Sequence, residues 1–281
     1  MDSRIWKLSL CCLGLCLHAC QLFEPRGFIV SYETADQRFE QSMNWNDQHP
    51  LATLTSTESE YDLYAISDIH VGGTTNLDLF LDQALLRQPM AVFMAGDLTT
   101  GHTEDYQRFY AALPSQDSLN LFPVPGNHDL YFEGWKQYQQ LFGSSVYSFS
   151  IKTPEASDLY ICLDNSGGSL GAKQLEWLKQ LLLNERSLYR YCILVNHNNW
   201  IRLRKMVATN PYVEELEVLL DLCLRHQVDM VISGHDHQRH TAVFGNIRFL
   251  TLDALSDSHP SPSYLVLNVS PDSIAYSFRD L

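Results

Sequence analysis

Short apolar runs alternate with longer stretches of helical periodicity from residue 62 onward, and this alternation constrains the fold more than any other feature of the chain. The runs are bounded by turn residues and cover residues 63–67, 90–95, 121–124, 159–163, 192–196 and 230–233. The stretches between them cover residues 76–87, 104–112, 134–142, 172–184 and 213–227. Strands that alternate with helices indicate βαβ units, in which helices cover the sheet.

The pattern changes after residue 237, where four further runs predict strands without helices between them, at residues 241–244, 247–252, 264–268 and 274–278. A meander of this kind can complete a second sheet stacked on the first. The sequence therefore predicts an α/β fold of two stacked mixed β-sheets flanked by helices, an αββα sandwich. We expect it to form one domain over residues 61–281.

Residues 1–20 differ in character from the rest of the chain. Arg4 and Lys7 precede a mostly apolar stretch, residues 8–19, which is too short to span a bilayer as a permanent helix. A basic head and a short apolar stretch are typical of an export signal. Residues 17–20, Leu-His-Ala-Cys, resemble the lipobox of bacterial lipoproteins, whose cysteine is acylated.

We therefore expect an exported protein that a lipid on Cys20 anchors to a bacterial membrane, on the periplasmic side or at the cell surface. An ordinary cleaved signal and a chain that is not exported are the alternatives. The following segment, residues 21–60, is polar and weakly periodic. It predicts a linker, with residues 27–32 as a candidate edge strand.

The composition disfavours two classes of site. A formal net charge of −14 would repel the backbone of a nucleic-acid polymer, which is therefore not expected as a partner. Cys162, Cys192 and Cys223 stand in apolar runs without CxxC or Cys/His zinc spacing. Cysteines in such runs are usually small buried hydrophobic residues, so a structural zinc site is not expected.

Five short motifs rich in His, Asp and Asn fall where predicted strands end. In α/β folds, sites lie beyond the carboxyl ends of the strands, so the five loops are expected to converge. Carboxylate, imidazole and amide oxygen are ligands for divalent ions of intermediate hardness. The motifs thus predict a metal site, and they contain, in chain order, Asp68 and His70; Asp97; Asn127, His128 and Asp129; His197; and His235 and His237.

The spacing within two of these motifs suits a shared ligand site. Asp68 and His70 point the same way if the chain stays extended, and so do His235 and His237. Each pair can then bind one ion. The adjoining turns contain glycines that allow the backbone to approach a ligand closely, at positions 96, 126 and 234.

The series DxH, GD, GNHD, H and GHxH, in this order, resembles the calcineurin-like metallophosphoesterase superfamily. The resemblance covers the chain from about residue 62 to residue 253 and implies a metallophosphoesterase catalytic domain with two divalent ions, Mn, Fe or Zn. Its implied ligands are Asp68, His70 and His237 for the first ion, Asn127, His197 and His235 for the second, and Asp97 as the bridge between them.

The resemblance also implies roles for two neighbouring residues. A hydroxide that bridges the ions would attack phosphorus, and His128 would act as the general acid that protonates the leaving oxygen. Asp129 would orient His128. Thr100 occupies the position of the tyrosine in purple acid phosphatases, and the Asp-Arg pair of protein Ser/Thr phosphatases is absent from this sequence. A small phosphoester is therefore the expected substrate, and phosphodiesterase and phosphatase activity both stay open.

Two other functions are possible for this fold. The first is a catalytically inactive lipoprotein that uses the metallophosphoesterase fold only to bind a ligand or a partner. The second is a nuclease, which the net charge disfavours.

Three further residues are candidates to line the substrate pocket: Tyr131, Asn199 and Trp200. A tryptophan is, however, more often a packed core residue. His102 follows the GD motif closely but is expected to lie outside the site.

Overall fold

The computed structural model describes residues 33–115, 117–202 and 210–281. Within them the strands are, in chain order, β1 (Leu54–Thr55), β2 (Tyr61–Ile66), β3 (Ala91–Ala95), β4 (Leu121–Val124), β5 (Tyr147–Lys152), β6 (Ser157–Cys162), β7 (Cys192–Val195), β8 (Met230–Ser233), β9 (His240–Phe244), β10 (Ile247–Thr251), β11 (Ser263–Val269) and β12 (Ile274–Asp280). The α-helices are α1 (Ala35–Gln48), α2 (Thr75–Arg87), α3 (Thr103–Ala112), α4 (Gly134–Phe142), α5 (Gly171–Glu185) and α6 (Val213–Arg225). Short 3-10 helices cover His128–Leu130 and Arg186–Leu188.

The strands form two mixed sheets. One has seven strands in the order β1-β5-β6-β7-β8-β10-β9, and the other has five in the order β12-β11-β2-β3-β4. The pairs β2–β3, β3–β4, β6–β7 and β7–β8 are parallel. Their carboxyl ends therefore lie together at one edge of each sheet.

Three apolar layers hold the sandwich together. The layer between the sheets joins Leu63 and Phe93 of one sheet to Phe149 and Ile193 of the other. The rings of Phe122 on β4 and Phe149 on β5 stack across it, with centroids 3.8 Å apart. A second layer packs α2, α3 and α4 on the five-stranded sheet, and a third packs α5 and α6 on the seven-stranded sheet. The predicted αββα sandwich is confirmed.

The last four strands are distributed differently from the expectation. They form near their predicted positions but do not complete a single sheet: β9 and β10 extend the seven-stranded sheet, whereas β11 and β12 extend the five-stranded one. Strand β10 pairs in parallel with β8 and antiparallel with β9. Strand β10 therefore lies inside the seven-stranded sheet, and most of its side chains are buried.

A helix occupies part of the segment for which the sequence predicts a linker. Helix α1 begins with a capping box, in which the Thr34 side chain accepts from the backbone N–H of Gln37 and the Gln37 side chain accepts from that of Thr34. Its Arg38 is buried against Asp164, beyond the end of β6. The local sequence is polar, so the helix depends on this distant partner, which a linear pattern does not reveal.

The predicted export signal, Cys20 and the candidate edge strand at residues 27–32 lie outside the described residues. Among the residues that the structure describes, every helix is too short or too polar to cross a bilayer. Cys162, Cys192 and Cys223 are buried, as predicted, and form no disulfide with one another.

Candidate metal centre

The five motifs follow strands β2, β3, β4, β7 and β8, and the structure brings them to one edge of the sandwich. Strands β2, β3 and β4 are neighbours in one sheet, and β7 and β8 are neighbours in the other. Nε2 of His237, after β8, lies 3.2 Å from Oδ1 of Asp68, after β2. Nε2 of His197, after β7, lies 3.3 Å from Oδ1 of Asp97, after β3. The crevice therefore joins the carboxyl ends of strands from both sheets.

Four of the predicted residues form what we call the first cluster: Asp68, His70, Asp97 and His237. One donor atom from each lies within 4.8 Å of the others. The Nε2 atoms of His70 and His237 are 3.1 Å apart, and Nε2 of His70 is 3.7 Å from Oδ2 of Asp97. This spacing allows all four donors to bind one ion.

The second cluster contains Asp97, Asn127, His197 and His235. Donor atoms of Asp97, His197 and His235 lie within 4.8 Å of one another. Nε2 of His197 is 3.2 Å from Nδ1 of His235 and 3.3 Å from Oδ1 of Asn127. Asp97 belongs to both clusters, with Oδ2 toward His70 and Oδ1 toward His197.

The donor atoms of both clusters suit divalent cations. Asp68 Oδ1 is buried and faces Nε2 of His237 at 3.2 Å, but no residue that the structure describes donates a well-aligned hydrogen bond to it. In each cluster two imidazole nitrogens face each other, and two lone pairs at this distance repel unless a proton or a cation lies between them. Nitrogen and oxygen donors without thiolate are the set that Mn, Fe and Zn accept. The His/Asp clusters are therefore able to bind metal ions.

The backbone of these motifs is not extended, which corrects the expected geometry. The φ angles of Asp68, His70, Asp97, His235 and His237 are 52°, 46°, 51°, 73° and 52°. This left-handed region is sparsely populated by residues other than glycine. The side chains of each pair still converge, but through a coiled backbone rather than through strand alternation. Strain of this kind persists where the surrounding structure imposes it, often at functional sites.

Hydrogen bonds between the loops impose this backbone. The amide of Asp68 donates to the carbonyl of Gly96 at 3.0 Å, and the amide of His70 donates to that of Asp97 at 2.9 Å. The amide of His235 donates to Oδ2 of Asp68 at 2.8 Å. The DxH loop is thus tied to the GD loop on one side and to the GHDH loop on the other.

Close contacts exclude a side chain at all three predicted glycines, and two of them adjoin Asp97 and His197. A Cβ atom on Gly126 would lie 2.1 Å from Oδ1 of Asp97. Gly96 has a φ of 84°, and a Cβ atom there would lie 2.6 Å from Nδ1 of His197. Any side chain at these positions would displace a cluster residue, so the tight turns are part of the site.

The two carboxylates of the centre keep their negative charge in spite of their burial. Burial alone would raise the pKa values of Asp68 and Asp97, but nearby histidines outweigh it and hold both below the ordinary value, chiefly His237 for Asp68 and His197 for Asp97. Burial alone would lower the pKa of His197, but Asp97 raises it to about 9. Burial and His197 lower the pKa of His235 to about 4. Both carboxylates are therefore anionic near neutral pH.

His128 lies beside the first cluster and outside both. Its ring meets that of His70 edge to face, with centroids 4.5 Å apart. Its Nε2 is 3.9 Å from Oδ2 of Asp97, and its backbone amide donates to Oδ1 of Asp97 at 2.8 Å. The side chain is 28% exposed, so it can contact both solvent and a ligand at the centre.

The carboxylate of Asp129 is bound by backbone amides of the GD and GNHD loops, and its role in orienting His128 stays a prediction. Its carboxylate accepts hydrogen bonds from the backbone amides of Leu98, Thr99 and Gly126, at 3.0, 2.9 and 2.8 Å. The short 3-10 turn directs it back toward the GD loop, so Asp129 fastens the GD and GNHD loops together. Burial and the charge of Asp97 raise its pKa to about 7.

Asn165, which the motifs do not include, supports the second cluster. Its Oδ1 accepts from the backbone amides of His197 at 3.0 Å and Asn198 at 2.9 Å. Its Nδ2 donates to the carbonyl of Asn198 at 2.8 Å. Asn165 follows the predicted strand at residues 159–163, and the rule that placed the other loops at strand ends could have found it.

The three candidate pocket residues occupy different environments. The Tyr131 hydroxyl accepts from Nδ2 of Asn127 at 3.0 Å, which leaves the Asn127 oxygen facing His197. Trp200 is buried and packs against Phe249, the commoner fate of a tryptophan. Nδ2 of Asn199 donates to Oδ2 of Asp236, between the two histidines of the GHDH motif. Only Tyr131 therefore reaches a cluster residue directly.

Comparisons with known proteins agree with this geometry. A relative named as a probable cyclic nucleotide phosphodiesterase of Coxiella burnetii (strain RSA 493 / Nine Mile phase I) is 23% identical over 206 residues, which cover 67% of this chain and 81% of the relative. The structure of GAP50, the anchor in the inner membrane complex of Plasmodium, matches with a TM-score of 0.61 and 14% identity over 79% of this chain and 85% of that one.

A dimetal phosphatase from Danio rerio matches with a TM-score of 0.60 and 15% identity over 79% of this chain and 98% of that one. These two structures share the fold. The model of the family described as calcineurin-like phosphoesterase matches residues 61–239, which is more than half of the 281-residue chain. With its sandwich fold and its His/Asp clusters at the strand ends, the chain belongs to the calcineurin-like phosphoesterase family.

Proposed function

We propose that the protein hydrolyses phosphate esters with two divalent ions bound side by side. The observation that carries this proposal is that two donor clusters share the buried carboxylate of Asp97, one oxygen toward each. A carboxylate in that position can serve two ions at once. Two adjacent ions supply charge stabilisation for the phosphoryl oxygens and lower the pKa of a water molecule that attacks phosphorus.

The two ions would have different protein ligands. Asp68, His70 and His237 would hold the first ion, and Asn127, His197 and His235 would hold the second, with Asp97 common to both. The unsatisfied Oδ1 of Asp68 and the facing imidazoles support this assignment. The ions would be Mn, Fe or Zn, since these metals accept nitrogen and oxygen donors without thiolate.

His128 would serve as the general acid. It stands next to the first cluster, is partly exposed and is not among the groups whose donor atoms lie within 4.8 Å of one another. An imidazole at this place can donate a proton to the oxygen that leaves phosphorus. Its backbone amide donates a hydrogen bond to the carboxylate of Asp97, which fixes the position of the acid relative to the shared carboxylate.

We propose a small phosphodiester as the substrate class, with phosphomonoesters as the second candidate. The name of the Coxiella burnetii relative, a probable cyclic nucleotide phosphodiesterase, supports a diester. The net charge of −14 disfavours a long nucleic acid, since the average field repels a polymer of phosphates more than a single one.

The sequence of residues 17–20 supports a proposal about location, namely that Cys20 carries a lipid that anchors the exported protein to a membrane. Labelling of cells with a fatty acid, for the natural chain and for Cys20→Ser, tests it. We expect label in the natural chain alone. Equal label in both proteins, or none in either, contradicts it.

The experiment that tests the proposed function compares His128→Ala with the natural protein on two esters, one with a nitrophenyl and one with an alkyl leaving group. Because nitrophenolate leaves without a proton, His128→Ala should lose little rate on it and about 10²–10⁴-fold on the alkyl ester. The metal content should be equal in both proteins. His226→Ala, at the end of α6, serves as the matched control and should keep both rates.

Three other results would contradict parts of the proposal. Equal losses on the two esters would contradict the role of His128 as an acid. Loss of metal from His128→Ala would contradict the ligand assignment. A natural protein that is fully loaded with metal and hydrolyses neither ester would contradict the proposed function and favour a protein that only binds its ligand.

A further inference from the structure

An exposed pair of rings lies beside the candidate metal centre. The imidazole of His102 stacks on the ring of Phe132, with centroids 4.0 Å apart and 16° between the planes. Both side chains are exposed, Phe132 by half of its surface. We call this pair the aromatic ledge. A large ring that remains this exposed presents an apolar planar face to a ligand.

The backbone that carries Phe132 is strained. Phe132 and Glu133 have φ angles of 55° and 60°, in the left-handed region that bulky side chains rarely adopt. A carbonyl hydrogen bond holds the turn, since the amide of Gly134 donates to the oxygen of Tyr131 at 2.8 Å. Such strain is concentrated at ligand sites, where the surrounding structure maintains it.

Gly101 brings the two rings together. Its φ is 92°, and a Cβ atom there would lie 2.6 Å from the carbonyl oxygens of both His128 and Tyr131. The loop with His102 therefore packs directly on the backbone of the loop with Phe132. The ledge results from this backbone contact rather than from a chance meeting of two flexible side chains.

A continuous row of rings joins the ledge to the metal centre. The ring of His128 lies 4.5 Å from that of His70 on one side and 4.7 Å from that of Tyr131 on the other. The ring of Tyr131 is in turn 6.5 Å from that of Phe132. The ledge thus lies on the side of the centre where His128 stands, which is the side from which a leaving group would receive its proton.

We propose that the aromatic ledge is a subsite for a planar heterocycle, so that the base of a nucleotide extends the stack of His102 and Phe132 while its phosphoester is held at the metal centre. This inference rests on the proposed function and specifies its substrate class. Stacking on an aromatic face tolerates any base, because every base has a π-face. We therefore expect selectivity for nucleotides over base-free sugar phosphates and weak discrimination among bases.

The test compares two substrates that differ only in the base. A cyclic adenine nucleotide and the cyclic ribose phosphate without the base have the same leaving oxygen, so their kcat/KM ratio isolates the base. Adenosine monophosphate and ribose phosphate form the matched monoester pair. In the natural protein we expect a preference for the nucleotide of about fivefold or more, the scale of base–aromatic stacking.

Two variants of Phe132 should abolish most of this preference. Phe132→Leu keeps an apolar side chain and removes the aromatic face. Phe132→Gly adopts the left-handed backbone without strain, so it keeps the test valid if the leucine variant is unstable. Phe244→Leu is the control, since Phe244 on β9 is similarly exposed, at 45%, and lies outside the metal centre. It should leave the ratio at the natural value.

A ratio near one in the natural protein, or a preference that survives both Phe132 variants, would overturn the inference while the proposed function stands. If the natural protein hydrolyses neither substrate pair, the proposed function fails, and binding then decides the inference. The natural protein and Phe244→Leu should quench the fluorescence of a nucleotide that has a fluorescent base. Phe132→Leu should bind the same nucleotide at least about fivefold more weakly. Equal binding by all three proteins would also overturn it.

Discussion

The two clusters of the metal centre share Asp97 but differ in burial. In the first cluster the side chain of His237 is 39% exposed and that of His70 is 15% exposed. In the second, the side chain of His197 is fully buried, and Asn127 and His235 are buried as well. The histidines of the first cluster are thus partly open to solvent, whereas the second cluster is enclosed by the fold.

Buried groups outside the two clusters hold the second cluster in place. His197 is held through its Nδ1, 2.9 Å from the carbonyl of Ala95, and through its amide by Asn165. Asp164, next to Asn165, is bound by the buried Arg38 of helix α1. We therefore expect the second cluster to keep its geometry without an ion and the more exposed first cluster to depend more on a bound ion. Hydrogen bonds from residues outside the ligand set commonly orient the ligands of a metal site in this way.

The largest expected effect is that of Asp97→Asn, which removes the feature common to both clusters. Metal affinity should fall by more than about 100-fold at both sites, since even partners outside the ligand shell contribute 10–100-fold. Elemental analysis of the purified variant measures it. Asp62→Asn, on the surface of β2, is the control and should keep its metal. Full metal in Asp97→Asn would contradict the shared role.

Arg38→Met should destabilise the fold on the side of the second cluster. The guanidinium donates from Nε to Oδ2 of Asp164 at 2.8 Å and from Nη2 to Oδ1 at 3.2 Å, and both side chains are buried. Removal of one partner of a buried pair costs about 3–5 kcal/mol because the remaining charge is uncompensated. Urea unfolding measures it, with Arg225→Met as the exposed control, whose pair with Asp221 contributes about 0.3–0.5 kcal/mol. Equal stability of the two variants would exclude a special role for Arg38.

Acidification should shrink the difference between the natural protein and Arg38→Met. Burial alone would raise the pKa of Asp164, but Arg38 outweighs it and holds this pKa below the ordinary value. A folded-state pKa below the unfolded one, about 3.9, gives stability that is complete above that pH and is lost as the pH falls toward the folded value. Urea unfolding of both proteins at pH 5 and at about pH 3 tests this. A difference that is constant or grows would contradict it.

Much of the centre could be predicted from residue types and positions. Asp68, Asp97 and His197 each follow a short apolar run, and the strand-end rule brings such residues together without further information. The left-handed backbone of the motifs could not be predicted, because contacts between separate loops impose it. The same holds for Asp129, whose partners Leu98 and Thr99 lie on another loop.

The ion pair beside the second cluster could not be predicted from the sequence for a similar reason. Helix α1 has a polar sequence, and its buried Arg38 meets Asp164, 126 residues later in the chain. Local periodicity does not record such a pair. The division of the last four strands between two sheets likewise depends on the pairing of β10 with β8, which a run of apolar residues does not specify.

Stepwise removal of metal from the natural protein tests the central claim most directly, that two ions share Asp97 and are held unequally. Protein loaded with one kind of divalent ion is dialysed against increasing chelator, and the ions per chain are counted by elemental analysis. We expect two ions that leave in two steps, and only the more tightly held ion in His237→Ala. One ion per chain at the start, or two that leave together in a single step, would contradict the account.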